Sequence, residues 1–134
     1  MLSDQERATM ERGIDALAAS DMDALVAEYH PEVEFFMPPT ASAEPATHHG
    51  REAARKMLDE TVEMLGGLAA EVDEIVEGEG RVLCLAHFTA VGSASGVPLR
   101  AKGAWIWEFR DGQISRVEFY VDWDEAREAA GLVG

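Results

Sequence analysis

The sequence predicts an α+β fold in which a curved antiparallel sheet wraps around N-terminal helices and a short helix follows at the C-terminus. Two observations predict this class. The first half of the chain holds mostly amphipathic segments with helical spacing, and the second half holds strand-like segments joined by turns. Consecutive strands of this kind pair antiparallel, and the helices before them cover one face of the sheet. No repeat or linker-like stretch divides the chain, so residues 1–134 are expected to form one domain.

Two helices are predicted near the N-terminus from their capping residues. The segment "SDQERATMERGIDALAAS" opens with Ser3 and Glu6, which have the spacing of a capping box. Ser20 and Asp23 have the same spacing ahead of a short second helix. Pro31 cannot donate a backbone hydrogen bond, so the second helix is expected to end there.

Two more helices are predicted from apolar spacing and from stop signals. The third runs from about Arg51 to Leu65, and two glycines at 66 and 67 follow it. Near the C-terminus, Asp122 and Glu125 form another capping-box pair, and Gly131 is the expected end of that short helix.

Alternating apolar and polar residues predict the strands. The first is "EVEFFM", and the twelve residues "PPTASAEPATHH" after it are expected to form a loop. The four later strands are joined by the turns or loops "GEG", "GSASGVP" and "RDG". They are "LAAEVDEIVE", "RVLCLAHFTAV", "LRAKGAWIWEF" and "QISRVEFYV".

The parity of the last two strands predicts an aromatic interior. Trp105, Trp107 and Phe109 share one face of their strand, and Val117 and Phe119 share one face of the next. Each aromatic side chain can bury about 150–250 Å². We therefore expect these faces to point inward, onto the helices or a cavity.

The parity of residues 82–91 stays open. Either Phe88 and the other even-numbered residues face the helices, or His87 and the odd-numbered residues do. If Leu83, Leu85 and Ile106 lie on the outer face, that face is too apolar for open water, which predicts a homodimer through the outer face of the sheet.

The composition limits the partners. Acidic residues outnumber basic ones 26 to 11, and the formal net charge is −15. Such a charge repels phosphate, so nucleic acid and anionic membranes are not expected partners. Cys84 is the single cysteine and cannot form an internal disulfide, which fits a reducing compartment. The first residues are too charged for a signal peptide and no apolar run is long enough to span a bilayer, so we expect a soluble, cytoplasmic protein.

The stretches "SDMDALVAEYHPEVEF", "HHGREAARKML" and "SGVPLRAKGAWIWEFRDGQISRVEFYVDWDEAREAAGL" occur in an order that resembles a known group of proteins. This group is the SnoaL-like, ketosteroid-isomerase-like branch of the nuclear transport factor 2-like superfamily, and the similarity covers roughly residues 5–132. The resemblance implies a cone-shaped, cystatin-like α+β roll around a deep apolar pocket, usually in a homodimer. Members include isomerases, polyketide cyclases and epoxide hydrolases, so a small apolar molecule is the expected partner and no cofactor is expected.

The catalytic residues of ketosteroid isomerases do not carry over to this chain. Those enzymes use a Tyr on the first helix, a general-base Asp after the first strand and a protonated Asp on a later strand. By ungapped matching these positions hold Gly13, Met37 and Trp105 here. Steroid isomerisation by that mechanism is therefore not expected.

Asp122 and His87 are two candidates for acid–base chemistry. Asp122 resembles an acidic residue common at the end of the last strand in SnoaL-like cyclases. It either caps the last helix or acts as a carboxylate at the pocket rim, with a pKa raised by apolar neighbours. His87 either forms a cross-strand ion pair with Glu108 or Glu118, or points inward as a catalytic base.

His48 and His49 are the other two candidates. They lie either in an exposed loop before the third helix or with one ring over the pocket mouth as acid, base or hydrogen-bond donor. Adjacent loop residues diverge and no third ligand is spaced nearby, so no metal is expected.

These observations predict an enzyme with an apolar pocket and cofactor-independent general acid–base chemistry on a ketone, polyketide-like or terpene-like substrate. The reaction is expected to be of the isomerase, cyclase or hydrolase type. Two alternatives remain: a non-catalytic protein that binds a small hydrophobic ligand, and a scaffold whose interior is filled by its own aromatic residues. The predicted pocket-lining residues are Tyr29, Phe35, Met37, Leu58, Val62, Phe88, Trp105, Trp107 and Phe119.

Overall fold

The computed structural model describes residues 2–37, 46–65, 69–91 and 98–131. None of the helices in these ranges is long and apolar enough to cross a lipid bilayer. The elements in these ranges are α1 (Asp4–Ala18), α2 (Met22–Ala27), β1 (Tyr29–Met37), β2 (Ala46–His49), α3 (Arg51–Leu65), β3 (Ala69–Glu77), β4 (Arg81–Val91), β5 (Pro98–Arg110), β6 (Gln113–Tyr120) and α4 (Trp123–Ala130).

The six strands form one open, curved sheet in the order β2-β1-β6-β5-β4-β3. The predicted α+β fold is confirmed, but the sheet is mixed rather than antiparallel throughout. β1 and β6 run parallel, whereas every other neighbouring pair is antiparallel. Parallel neighbours need a long connection, and here it is most of the chain, because β6 returns beside β1 only after all the other strands have formed.

The inner face of the sheet, which α1, α2 and α3 cover, holds the main hydrophobic core. The parity of β4 is resolved: Phe88 lies on this inner face, and His87 lies on the opposite, outer face. α3 adds Ala54 and Leu58 to the core. The inner-face side chains of the strands in this core are Val33, Phe35, Met37, Ala70, Val72, Val82, Cys84, Ala86, Phe88, Trp105, Trp107, Phe109, Ile114, Val117 and Phe119.

The outer face carries a second cluster, which α4 covers. Leu83, Leu85 and Ile106 are fully buried there against Ala126 and Ala130 of α4. The apolar surface that predicted a homodimer is therefore covered by a helix of the same chain. The C-terminal helix also lies on the opposite face from the other helices, which the sequence did not predict.

The start of the second helix and of the first strand differ from the prediction. Ser20 has a left-handed φ of 55°, and Asp21 is the N-cap that accepts the backbone N–H three residues on. Pro31 does not end α2, because Tyr29 and Pro31 both lie in β1. Pro31 is tolerated there because the β1–β6 pairing is interrupted between Tyr29 and Glu34, and β2 pairs only from Glu34 onward.

Other local predictions are confirmed. Ser3 and Glu6 form a complete capping box at the start of α1, and Asp122 caps α4. The turn between β5 and β6 has positive φ angles at both Asp111 and Gly112, 53° and 75°, as a type I′ hairpin requires. α3 has the bounds that its apolar spacing predicted.

The predicted loop over residues 38–49 is partly wrong. Its last four residues form the edge strand β2, which pairs antiparallel with β1. His48 and His49 therefore lie in a strand and not in a loop. The rest of that segment, the glycines at 66 and 67, and residues 92–97 of the predicted "GSASGVP" loop lie outside the described residues.

Candidate functional site

Cross-strand register arranges the inner-face side chains in rows, and two neighbouring rows contain His48 and Trp105. Residues that are paired on adjacent strands point to the same face and lie next to each other. We name the rows after one member of each. The His48 row contains Glu77, Val82, Trp107, Val117, Phe35 and His48, and the Trp105 row contains Ile75, Cys84, Trp105 and Phe119.

The register of β2 separates the two adjacent histidines. His48 pairs with Phe35, whose buried side chain lies on the inner face. His49 pairs with Glu34, and its Nδ1 is 3.7 Å from the Glu34 carboxylate on the outer face. Glu34 also accepts a hydrogen bond of 2.7 Å from Arg116. His48 is thus the half-buried histidine at the edge of the inner face, whereas His49 is 70% exposed.

Asp122 lies just beyond β6, at the end of the sheet where β1 and β6 finish. Its Oδ1 accepts backbone N–H bonds from Asp124 at 2.7 Å and from Glu125 at 3.3 Å. The residue is exposed, and the capping interpretation describes its contacts. Trp123, the next residue, packs on the outer face, where its indole N–H donates to main-chain carbonyls of β4 and β5.

His87 lies on the outer face with a carboxylate partner. Its Nδ1 is 2.5 Å from Asp73 Oδ2, and its ring centroid is 5.5 Å from that of Trp123 in an edge-on arrangement. This partner differs from the expected Glu108 or Glu118. β3 has a register shift at this point, and the resulting bulge inserts Asp73. No sequence pattern signals that extra residue.

Two glycines make room for inner-face aromatic rings. A Cβ atom at Gly13 would lie 2.8 Å from Cη2 of Trp107, which is 1% exposed. Gly13 is the position matched above to the Tyr of ketosteroid isomerases, so the Trp107 indole occupies the space next to it. A Cβ atom at Gly103 would lie 2.2 Å from Cε2 of Phe88.

The aromatic side chains of the inner face form one continuous wall. The ring centroids of Trp105 and Trp107 are 5.5 Å apart, those of Phe88 and Trp105 are 5.7 Å apart, and those of Phe88 and Phe119 are 5.5 Å apart. Phe119 is half-buried, unlike the other three. The wall therefore becomes accessible towards the end of the sheet where β6 finishes.

The other predicted pocket residues divide between a closed and an accessible part. Tyr29 and Leu58 are buried in the core, and burial raises the pKa of the Tyr29 hydroxyl. Met37 and Val62 are half-buried and pack against the core. Met37 ends β1, so it lies at the same end of the sheet as Phe119.

Trp105 carries a buried polar group that has no hydrogen-bond partner among the described residues. Its Nε1 makes no hydrogen bond to any residue that the structure describes, although the side chain is only 2% exposed. Cys84 lies beside it on β4. Burial raises the pKa of the Cys84 thiol to about 12, and the nearby Trp105 N–H lowers it by a smaller amount, without the geometry of a hydrogen bond.

Two open concavities lie elsewhere on the surface. One, of about 720 Å³, follows α3 and is lined by four carboxylates, His49, Arg55, Lys56 and Ala53. The other lies between α1 and α2. Neither is lined by the aromatic wall. Within the described ranges, no group of three or more His, Cys, Asp or Glu side chains is placed to hold a metal ion.

An open, curved sheet around three helices, with an aromatic inner face, is the nuclear transport factor 2-like fold. The family model for the SnoaL-like domain matches residues 10–117, and the chain belongs to this family. A comparison with curated proteins finds no match.

Several solved structures share the fold. TerC, co-crystallised with polyporic acid, is 21% identical with a TM-score of 0.76, and the alignment covers 92% of this chain and 96% of TerC. A nuclear transport factor 2-like protein of unknown function from Burkholderia pseudomallei K96243 is 18% identical with a TM-score of 0.75, over 94% of this chain and 97% of that one. A protein with a ketosteroid isomerase-like fold from Catenulispora acidiphila DSM 44928, in complex with trimethylamine, is 15% identical with a TM-score of 0.71, over 93% of each chain. At these identities the likeness shows the fold alone.

Proposed function

We propose that the chain is a small-molecule enzyme that uses general acid–base chemistry, without a cofactor, on a ketone, polyketide-like or terpene-like substrate. The observation that carries the proposal is the position of His48 on the inner face, beside a run of apolar side chains that extends from Phe35 to Val82 in its row. A neutral imidazole at such a face can accept a proton from a carbon next to a carbonyl group and return it elsewhere on the substrate. This chemistry underlies isomerase and cyclase reactions.

Asp122 is the second group in the proposal. It lies at the end of the sheet where Phe119 is half-buried, so a ligand that enters there passes near it. His87 and His49 are left out, because each pairs with a carboxylate on the outer face and the sheet separates them from the aromatic wall.

The related structures support the proposal that this chain binds a small molecule, but they do not identify which one. TerC was solved with polyporic acid, and the Catenulispora protein was solved with trimethylamine. The two compounds differ in size and charge. The substrate class proposed here therefore rests on the family resemblance, and it agrees with the inner face of this chain, which is aromatic and aliphatic with one histidine at its edge.

A proton-exchange assay tests the proposal without knowledge of the natural substrate. Ketones of one to three rings are incubated with the protein in D₂O, and loss of the α-proton signal is followed by NMR. We expect exchange faster than in buffer for at least one ketone, abolished in His48→Ala and retained in the matched variant His49→Ala. Equal rates in the two variants would show that His48 is not the base.

A non-catalytic binding protein is the second candidate, and one observation favours it. Cys84 and Tyr29 are ionisable side chains within the main core, and both have raised pKa values, so they stay neutral at pH 7. A ligand there meets little charge. Saturable ligand binding by the wild type with no proton exchange for any ketone would favour this second function.

We keep the homodimer and the cytoplasmic location as part of the proposal. α4 covers β4, β5 and the end of β6 at Tyr120, whereas the outer surface of β1 and of the first part of β6 carries Phe36 beneath the Arg116 guanidinium, and we propose this area for a partner subunit. Light scattering on the purified chain measures the mass, and a monomer at micromolar concentration would remove the dimer from the proposal.

A further inference from the structure

We propose that the indole N–H of Trp105 is the hydrogen-bond donor that selects ligands with a carbonyl or another acceptor oxygen. This inference rests on the proposed function, because it places the ligand on the inner face. The observation behind it is that Trp105 Nε1 is buried and has no partner among the residues of the described ranges. Buried donors are almost always paired in native proteins, so an unpaired one requires an explanation.

On the outer face, an indole N–H of this sheet is paired with main-chain oxygens. Trp123 Nε1 donates to the main-chain oxygen of Gly103 at 3.0 Å and to that of Ala86 at 3.3 Å. Trp105 lies on the opposite face of the same sheet, yet no carbonyl of the described residues accepts a hydrogen bond from its N–H. The contrast indicates a donor that the described part of the chain leaves available to a ligand.

The surroundings of Trp105 define what that molecule presents. Cys84 is its neighbour, and as a neutral thiol it is only a weak hydrogen-bond acceptor. An oxygen with lone pairs therefore competes well for the indole proton. Phe88 and Phe119 provide flat apolar contacts next to it, which suit a ring that bears the oxygen.

The gain on binding is larger than for an ordinary neutral hydrogen bond. In the free protein the indole N–H has already lost its water, so only the ligand oxygen must be desolvated when the bond forms. A hydrocarbon of the same shape gains nothing at this point. We therefore expect a ketone to bind at least about fivefold more tightly than its hydrocarbon counterpart.

The position of Trp105 relative to His48 also indicates ligand size. β2 and β5 are separated by β1 and β6, so their backbones lie about 14 Å apart along the sheet at about 4.8 Å per strand. Both side chains point inward from a curved sheet, which shortens the gap. A ligand that places an oxygen at Trp105 and a carbon acid near His48 would therefore need the length of two or three fused rings.

The test uses matched pairs of probes that differ in one oxygen: acetophenone and ethylbenzene, 1-tetralone and tetralin, fluorenone and fluorene. Each is titrated into the ¹⁵N-labelled protein, and the three indole N–H signals, assigned with single Trp→Phe variants, are followed by NMR. We expect a ketone to move the Trp105 signal downfield by more than the Trp107 and Trp123 signals. Its hydrocarbon counterpart is expected to bind more weakly and to produce no such downfield shift.

Two variants separate the donor from the ring. Trp105→Phe keeps an aromatic ring but removes the N–H, so the preference for ketone over hydrocarbon is expected to disappear. Trp123→Phe, on the outer face, is expected to keep it. Should Trp105→Phe fail to fold, the indole shift in the wild type still decides the question.

The outcomes distinguish this inference from the proposed function. Equal affinities for ketone and hydrocarbon, or an unmoved Trp105 signal in a saturated ketone complex, would overturn the donor assignment alone. No binding of any probe pair would overturn the apolar ligand site and the donor assignment together. A ketone preference that persists in Trp105→Phe would place the donor elsewhere.

Discussion

The close contact between Gly13 and Trp107 predicts a strong coupling between two substitutions. A Cβ atom at Gly13 would lie 2.8 Å from Trp107 Cη2 and 3.2 Å from Cζ3. The shorter distance is roughly 0.7 Å below the usual lower limit for favourable carbon contacts. Trp107 is 1% exposed, so its ring is enclosed by the core.

The magnitude follows from two opposing terms. Overpacking a core costs about 1–3 kcal/mol, whereas Gly→Ala inside a helix gains about 0.5–1 kcal/mol. We expect Gly13→Ala to lower the free energy of unfolding by about 1–2 kcal/mol. In a Trp107→Phe background the atoms that clash are gone, so the same change is expected to raise stability by about 1 kcal/mol. The coupling is then about 2–3 kcal/mol.

Urea unfolding of the wild type, both single variants and the double variant measures this coupling, with circular dichroism as the probe of the fold. Trp107→Phe alone serves as the reference for the cavity that the smaller ring leaves. If Gly13→Ala has the same effect in both backgrounds, within about 0.5 kcal/mol, the tight contact between α1 and β5 does not exist in solution.

Three further outcomes are expected. Asp122→Ala should lose about 1 kcal/mol of stability while Asp122→Asn keeps the cap, so any loss of proton exchange in the Asn variant alone would report on the carboxylate rather than on folding. Cys84, with a pKa raised to about 12, should resist iodoacetamide at pH 8 until the protein unfolds; rapid alkylation of the native state would contradict its burial. The hydrogen bond from Arg7 lowers the pKa of Glu77 below 4.5. The stability that this hydrogen bond contributes is therefore present above pH 4.5, and it is lost as the pH falls through the pKa of Glu77 in the folded protein. Glu77→Gln should be less stable than the wild type at pH 7, and this difference in the free energy of unfolding should vanish in acid.

Local patterns in the sequence predicted the elements whose signals are local. Ser3 and Asp122 were identified as N-caps because capping depends on residues within one turn. The inward faces of β5 and β6 followed from alternation of aromatic and polar side chains. The bounds of α3 followed from apolar residues that repeat at helical spacing.

The parity of β4 could not be predicted, because α4 makes both of its faces apolar. Leu83 and Leu85 are as completely buried on the outer face as Val82 and Cys84 are on the inner face, so alternation carries no signal. A strand that is covered on both sides is usually expected in a parallel sheet, and here a single short helix produces the same pattern in an antiparallel neighbourhood.

The separation of His48 from His49 depends on a tertiary feature of the same kind. The segment "ATHH" is too short and too polar to signal a strand, and β2 exists only because β1 offers its edge. The Trp105 row likewise results from registers between strands distant in sequence. Sequence analysis could therefore name the candidate residues but not the face on which each one lies.

Both margins of the sheet are poor templates for recruiting further chains. Within the described residues β2 is four residues long, so this part of the chain leaves few backbone groups for another strand. β3 is longer, but the insertion at Asp73 interrupts its regular spacing, and Glu71, Glu74 and Glu77 add negative charge along it. Strand-by-strand polymerisation is therefore disfavoured at both margins, and any self-association must use the broad surfaces of the molecule.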